Sequence, residues 1–281
     1  MKKVLIVGST GYIGSNLKNY LEKNSIEVVD LRNNKIDLKN VEYFDYSILK
    51  DLDTIVFAAA VSSPDLCALD YDNSYKVNVK GTSYFISRAI KSGCRIIFLS
   101  SDAVYGNDTH IINNELTKPK PVTAYGKMKK EVEDLFLNEP FFKTLRLSYV
   151  LSNRDKFVTY LMKCHDEKIK AEIFHPFYRN CIMLNEVMKT ILWIINNWEN
   201  FDCNILNLCG KELVSRIRIT DEINRVQDTK IEYNIIFPGE DFFTNRHPIT
   251  EMSSLFLEDI IPSIKDSFLV RLKNQLEYTG E

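Results

Sequence analysis

The chain lacks an excess of either charge, a long apolar run, a paired-cysteine motif and a histidine cluster. Its 36 Lys and Arg stand against 38 Asp and Glu, a formal net charge of −2 over 281 residues. So even a balance gives no basic track for nucleic acid and no polybasic patch for a membrane surface. The apolar run behind Lys2-Lys3 stops after Val4 to Val7, too short for the apolar core of a secretory signal, and no later segment would span a bilayer. The cysteines at 67, 94, 164, 181, 203 and 209 include no CxxC pair. His110, His165, His175 and His247 show no ligand spacing, so no metal is expected, and the thiols are expected free in a reducing cytoplasm. Repeats, low-complexity tracts and an obvious linker are absent too, which leaves one large α/β unit or a main domain with a small appendage.

What is present begins at the N-terminus. Val4 to Val7 is a β-branched apolar run ending at Gly8, and Tyr12, Ile13, Leu17, Tyr20 and Leu21 then recur at helical spacing. Strand, glycine turn and helix start arrive in the order that a dinucleotide site needs. Gly8, Gly11 and Gly14 permit the tight turn, the approach of backbone to a pyrophosphate and close helix–strand packing. The helix's unpaired N–H groups and positive dipole end would face the phosphates. The spacing is GxxGxxG rather than GxGxxG.

The first 150 residues alternate strand and helix. Continuous apolar runs at 4–7, 27–31, 54–58, 95–100 and 144–147 predict strands of a parallel sheet covered on both faces. Helical patterns fall at about 13–23, 74–91 and 125–137. The predicted fold is α/β, a Rossmann-type doubly wound parallel sheet with a smaller, partly discontinuous C-terminal lobe. The dinucleotide-binding domain is assigned to 1–150, rejoined by about 179–208, through an apolar helix at 186–198 and a strand at 205–208. The lobe takes 151–178 and 209–281, of which 153–178 reads only as mixed and charged.

Cofactor choice turns on the end of the second strand. Asp30 would accept the ribose hydroxyls and favour NAD, whereas Arg32 would suit a 2′-phosphate; the balance tilts to NADP. Asp37, followed by Leu38, could meet the adenine amino group or cap a turn.

A second constellation is Ser100-Ser101-Asp102-Ala103-Val104-Tyr105-Gly106 followed by Tyr125-Gly126-Lys127-Met128-Lys129. Ser101 closes a parallel strand at the ligand-binding edge. Tyr125 and Lys129 are neighbours on one helical face, bordering an inward stripe of Met128, Val132, Leu135 and Phe136. An ammonium there would lower the phenol from about 10 toward neutrality, roughly 4 kcal/mol of differential interaction for roughly three units. A second YxxxK, Tyr46 to Lys50, has no serine-bearing strand end upstream and reads as a surface helix.

With these residues in place, the chain resembles the extended short-chain dehydrogenases/reductases of the nucleotide-sugar-modifying group, and among them the 4-keto sugar reductases. Gly8 to Gly14, Ala58-Ala59-Ala60, Asn78-Val79-Lys80-Gly81-Thr82, Ser101 with Tyr125 and Lys129, and a weaker Arg179 to Val187 element carry the resemblance. It implies that Tyr125 is the catalytic acid/base, that Lys129 tunes it and binds the nicotinamide ribose, and that Ser101 hydrogen-bonds the substrate oxygen. It implies cofactor contacts from Gly8, Thr10, Gly11, Tyr12, Ile13, Gly14, Asp30, Arg32, Asp37, Leu38, Ala58, Ala59 and Ala60, with Asn78 fixing the adjoining loop. Dehydratases and decarboxylases of the group place Glu where this chain has Ala103, so both reactions are disfavoured. Epimerases usually place Asn where Tyr149 falls, which leaves the substrate diphosphate to another group; Arg246, before His247-Pro248, could supply the cation, and Asp102 could touch the sugar. The implied activity is reduction of a nucleotide-diphosphate 4-keto-6-deoxy sugar with NADP (or NAD). A 4-epimerase holding NAD and a non-catalytic nucleotide-binding regulator are the alternatives. By the same analogy the helices at 74–91 and 125–137 would form a homodimer.

Overall fold

A computed structural model describes residues 2–31 and 36–278. Six parallel strands make the central sheet: β1 (Lys3–Val7), β2 (Glu27–Val29), β3 (Thr54–Phe57), β4 (Arg95–Ser101), β5 (Phe142–Leu147) and β10 (Ile205–Leu208), in the order β10-β5-β4-β3-β1-β2. Every residue of β3 and β5 is buried, as a sheet covered on both faces requires. The period of two sorts the side chains. Val4 and Ile6 point to a core shared with Leu17 and Leu21 of α1 (Tyr12–Lys23) and with Val187, Ile191 and Ile194 of α7 (Leu184–Asn196). Leu5 and Val7 point the other way, to Phe85, Ile86 and Ala89 of α4 (Thr82–Lys91) and to Val132 and Phe136 of α5 (Ala124–Phe136). The chain leaves β1 toward β2 on one side and returns with β3 on the other. That reversal puts the ligand crevice at the carboxyl ends of β1 and β3.

The helix expected over 74–91 is subdivided. Short α2 (Pro64–Leu69) and α3 (Tyr71–Tyr75) lead into a π-helical turn at Lys76–Gly81, and only then into α4. Ser63 caps α2 by accepting from the Leu66 N–H at 3.4 Å. Gly81 lets the wide turn press on the chain at Leu38, whose carbonyl oxygen would lie 1.9 Å from an added Cβ. In α5 the inward stripe differs from expectation: Leu135 is 57% exposed, and Glu133 is buried instead to meet Arg146 of β5 at 2.7 Å. The second YxxxK is a 3₁₀ turn, Tyr46–Asp51, with the Tyr46 ring packed edge-on against Phe44 at 5.1 Å.

The lobe is built on the segment whose sequence pattern was mixed. Asp155 accepts from the Phe157 and Val158 N–H groups and so starts α6 (Lys156–Asp166). β6 (Val150–Leu151) pairs with β9 (Ile182–Met183), and β7 (Ala171–Phe174) pairs with β12 (Tyr233–Ile236). β8 (Tyr178–Arg179) lies between β11 (Val214–Ser215) and β13 (Ile249–Thr250). Phe157, Leu161, Ile173, Ile219, Ile223, Phe268 and Leu272 form its core with α8 (Arg216–Gln227) and α10 (Phe268–Leu276), while α9 (Leu257–Ile260) packs on β10. Among the described residues no helix is long and apolar enough to cross a membrane.

Candidate active site

The turn after β1 is shaped for close backbone contact. Gly8 adopts φ +93°, and an added Cβ there would lie 2.7 Å from the Ala59 nitrogen. A Cβ on Gly14 would lie 2.1 Å from the Gly8 carbonyl oxygen, so α1 starts directly against the turn. Gly11, the residue before α1, follows Thr10 and offers no side-chain cap to the first N–H groups of the helix. The Tyr12 hydroxyl donates to Ser152 Oγ at 2.7 Å and Ile13 packs on the sheet. Opposite, Ala58-Ala59-Ala60 leave β3 with the Ala58 N–H bonded to the Val7 carbonyl at 2.9 Å. Asn78 is buried and grips the next residue from both sides, accepting from the Val61 N–H at 2.8 Å and donating to its carbonyl at 2.9 Å.

Past β2 the picture is simpler. Asp30 is ion-paired with Lys18 at 3.6 Å. Arg32 lies outside the described residues. Asp37 is exposed and caps its own turn, accepting from the Lys39 N–H at 2.9 Å and from Asn40 at 2.8 Å, which holds its carboxyl below the ordinary value. Leu38 is buried in the adjoining core.

Ser101, Tyr125 and Lys129 gather at the carboxyl end of β4. Ser101 Oγ donates to Asp102 Oδ1 at 3.0 Å and accepts from the Ala103 N–H at 3.2 Å. Thr123 caps α5 through the Gly126 N–H at 3.1 Å. A Cβ on Gly126 would meet the Ala103 carbonyl at 2.3 Å, so this glycine brings Tyr125 against the serine loop. Lys129 is buried, donates to the Leu99 carbonyl at 2.7 Å and lies over the Tyr125 ring at 5.8 Å. Burial lowers its pKa to about 8.

The phenol corrects the expectation of a lowered value. Burial, reinforced by the Asp102 carboxylate, holds the Tyr125 hydroxyl well above its ordinary pKa. The ammonium stands 5.8 Å from the ring centroid and donates to the Leu99 carbonyl, and its field does not offset these two effects. Tyr125 is therefore a neutral phenol at pH 7, and among the described residues its hydroxyl has no hydrogen-bond partner.

The lobe contributes groups that the sequence marked weakly or not at all. Arg179 Nε pairs with Asp102 Oδ2 at 3.2 Å, and its Nη2 donates to the His247 carbonyl at 2.7 Å. It stood only as the first residue of a weak element. Arg216, which carried no local signal, is held between Phe157 at 4.9 Å and Phe177 at 4.3 Å with its Nε buried and unpartnered. Arg179, Arg216 and Tyr149 line one small cavity. Arg246, expected near a diphosphate, is ion-paired with Asp65 of α2, so lobe and domain are joined by charge on two sides of the cleft. Among the described residues no cluster of acids, cysteines or histidines could hold a metal ion.

Residues 1–241 match the family described as RmlD substrate binding domain. The chain belongs to that family. A dTDP-4-dehydrorhamnose reductase of Aggregatibacter actinomycetemcomitans is 32% identical over 140 residues, 49% of this chain and 47% of that protein. The chain thus spans about half the length of this curated relative. Among solved structures, a Clostridium acetobutylicum dTDP-4-dehydrorhamnose reductase superposes with a TM-score of 0.81 at 21% identity, covering 97% of this chain and 98% of that one. A UDP-glucose 4-epimerase from Stenotrophomonas maltophila, solved with bound NAD and formylated UDP-arabinopyranose, gives 0.82 at 16% identity over 98% and 96%. At such identities the likeness concerns the fold, the Rossmann-type sheet with its C-terminal lobe. In this RmlD-family chain the two arginine-bearing elements, 177–179 and 214–216, are adjacent because β8 pairs with β11.

Proposed function

We propose that the chain is an NAD(P)-dependent oxidoreductase that reduces the ketone of a nucleotide-linked 4-keto-6-deoxy sugar, with NADPH as the donor. The observation that carries this reading is the neutral, unpartnered Tyr125 phenol set beside Ser101 and Lys129, at the sheet edge that also carries the glycine turn. The residues around that turn fit a dinucleotide. The Gly8–Ala59 approach admits no side chain, and the uncapped start of α1 favours a pyrophosphate. Bound there, the reduced nicotinamide supplies the hydride.

The rest belongs to the chain. Ser101 turns its hydroxyl from Asp102 to the carbonyl oxygen of the sugar. Tyr125 donates its proton to that oxygen as the negative charge develops, and a phenol held in its neutral form is the form that reduction consumes. Lys129 orients the tyrosine ring and offers its remaining donors to the nicotinamide ribose. Ala103 provides no carboxyl group for a second proton transfer, which agrees with reduction and disfavours dehydration. Arg179 and Arg216 give the diphosphate of the substrate its cations, and Arg246 exchanges Asp65 for the same group. The reading includes a homodimer through α4 and α5, where Tyr84 and Leu135 are exposed.

The test is to incubate the purified protein with NADPH and dTDP- or UDP-linked 4-keto-6-deoxy sugars, following loss of the reduced nicotinamide and the configuration at C4. One NADPH oxidised per sugar reduced supports the proposal. Protein that arrives with bound NAD and inverts C4 without net oxidation is a 4-epimerase instead.

A further inference from the structure

On the far side of α1 from the sheet lies a cavity of about 460 Å³, walled by one face of α1, the start of α7, the end of α10 and the 153–154 loop. None of its lining residues belongs to the site described above. Five of the lining residues carry carboxamides, Asn16 and Asn19 of α1, Asn153 on the loop, Asn185 of α7 and Gln275 of α10, with Asn16 Nδ2 already donating to the Tyr12 carbonyl at 2.7 Å. Asn185 is the decisive one. It is 7% exposed, and its Oδ1 is buried without a hydrogen-bond partner. Its backbone N–H is already committed to Gln275 Oε1 at 2.8 Å, so the residue is fixed in place while its side chain is left unsatisfied. A buried polar atom in that condition calls for a partner that the chain itself does not supply.

We propose that this cavity is a second binding site, for an uncharged monosaccharide. A carboxamide presents a donor and an acceptor side by side, the pair that vicinal hydroxyls match. Several carboxamides converging from three helices and a loop form a polyol-binding lining rather than the apolar lining of an ordinary small-molecule pocket. Leu184 and Met188 give an apolar floor for the C–H face of a sugar ring, and Tyr20 and Tyr278 add phenol rings at the side. Glu22, Lys23 and Arg154 bring charges of both signs to the lining, and the phosphate arm of the test below asks whether the two cations select an anion instead. The volume accommodates one hexose with room for bridging water.

The test is calorimetric or ligand-observed NMR titration of the full chain, without cofactor, with glucose, a 6-deoxyhexose and inorganic phosphate as probes. The expected result is saturable hexose binding with a Kd of about 1 mM, the range in which a few hydrogen bonds to a small ligand fall. Asn185→Leu should weaken it at least tenfold. Asn153→Ala, at an exposed loop position that leaves the core intact, should weaken it severalfold. Unchanged melting of Asn153→Ala separates loss of the site from loss of the fold. The proposal is overturned if no hexose saturates, if phosphate alone binds, or if both variants bind hexose as the parent does. Because neither cofactor nor turnover enters the measurement, its failure leaves the reductase reading standing, and failure of that reading leaves this one intact.

Discussion

Replacing Lys129 by methionine should stabilise the protein at neutral pH while abolishing turnover. In the folded chain burial lowers the Lys129 pKa from 10.5 to about 8. That gap corresponds to about 3 kcal/mol of preference against the charged form. Between the two values the unfolded chain holds more protons than the folded one, so stability rises with pH through this window. Below about 8 the full penalty is present; above 10.5 it is gone. Methionine removes the titration at similar volume but gives up the bond to the Leu99 carbonyl, worth about 1 kcal/mol. The variant should therefore be more stable by about 2 kcal/mol at pH 7, and less stable by about 1 kcal/mol once the lysine is neutral in both states. Urea unfolding of both chains at pH 7 and at several alkaline values reads this directly. The difference between the chains cancels every other titrating group. A difference that does not change with pH would refute the argument, because it would mean that the ammonium is not desolvated in the fold.

Three further outcomes follow from the same geometry. Tyr125→Phe should reduce NADPH-dependent turnover by about 10³-fold with cofactor affinity unchanged by fluorescence titration, since only the proton donor is lost. Gly14→Ala places a methyl 2.1 Å from the Gly8 carbonyl oxygen and should weaken NADPH binding at least tenfold while lowering stability by about 1–3 kcal/mol, both read against the parent chain. Glu133→Gln leaves Arg146 buried without its carboxylate and should lower stability by about 3–5 kcal/mol in denaturant, although the carboxamide oxygen can still accept the hydrogen bond that Ser100 donates.

Much of this molecule could be read from its residues. Short β-branched runs and the glycine turn gave the central strands to within two residues at most ends, because strands buried on both faces need unbroken apolar sequence. Ser101, Tyr125 and Lys129 were visible as a set because a strand end and a helical spacing of four bring them together. Long-range partners were not visible. Nothing local distinguishes Arg216, whose setting between Phe157 and Phe177 depends on three separate elements of the lobe. Glu133 reads as a solvated helix residue until Arg146 is placed opposite it. The direction of the Tyr125 shift failed for a related reason: spacing puts the lysine next to the ring, but only the fold decides whether burial outweighs the field of the ammonium.

The sixth strand has a consequence for the order in which the protein is made. β5 ends at Leu147, yet its outer neighbour β10 begins only at Ile205, after α6, α7 and half of the lobe have been synthesised. Until residues 205–208 leave the ribosome, the emerging sheet carries β5 as an open edge with unpaired backbone groups, a template for pairing with another nascent chain. In that interval Arg216 is not yet made, and Arg179 has neither β11 nor β13 to pair its strand with. A chain arrested near residue 200 would thus hold the glycine turn, Ser101, Tyr125 and Lys129 on an incomplete sheet, whereas one carried past Thr250 has both the closing strand and the β8–β13 pairing.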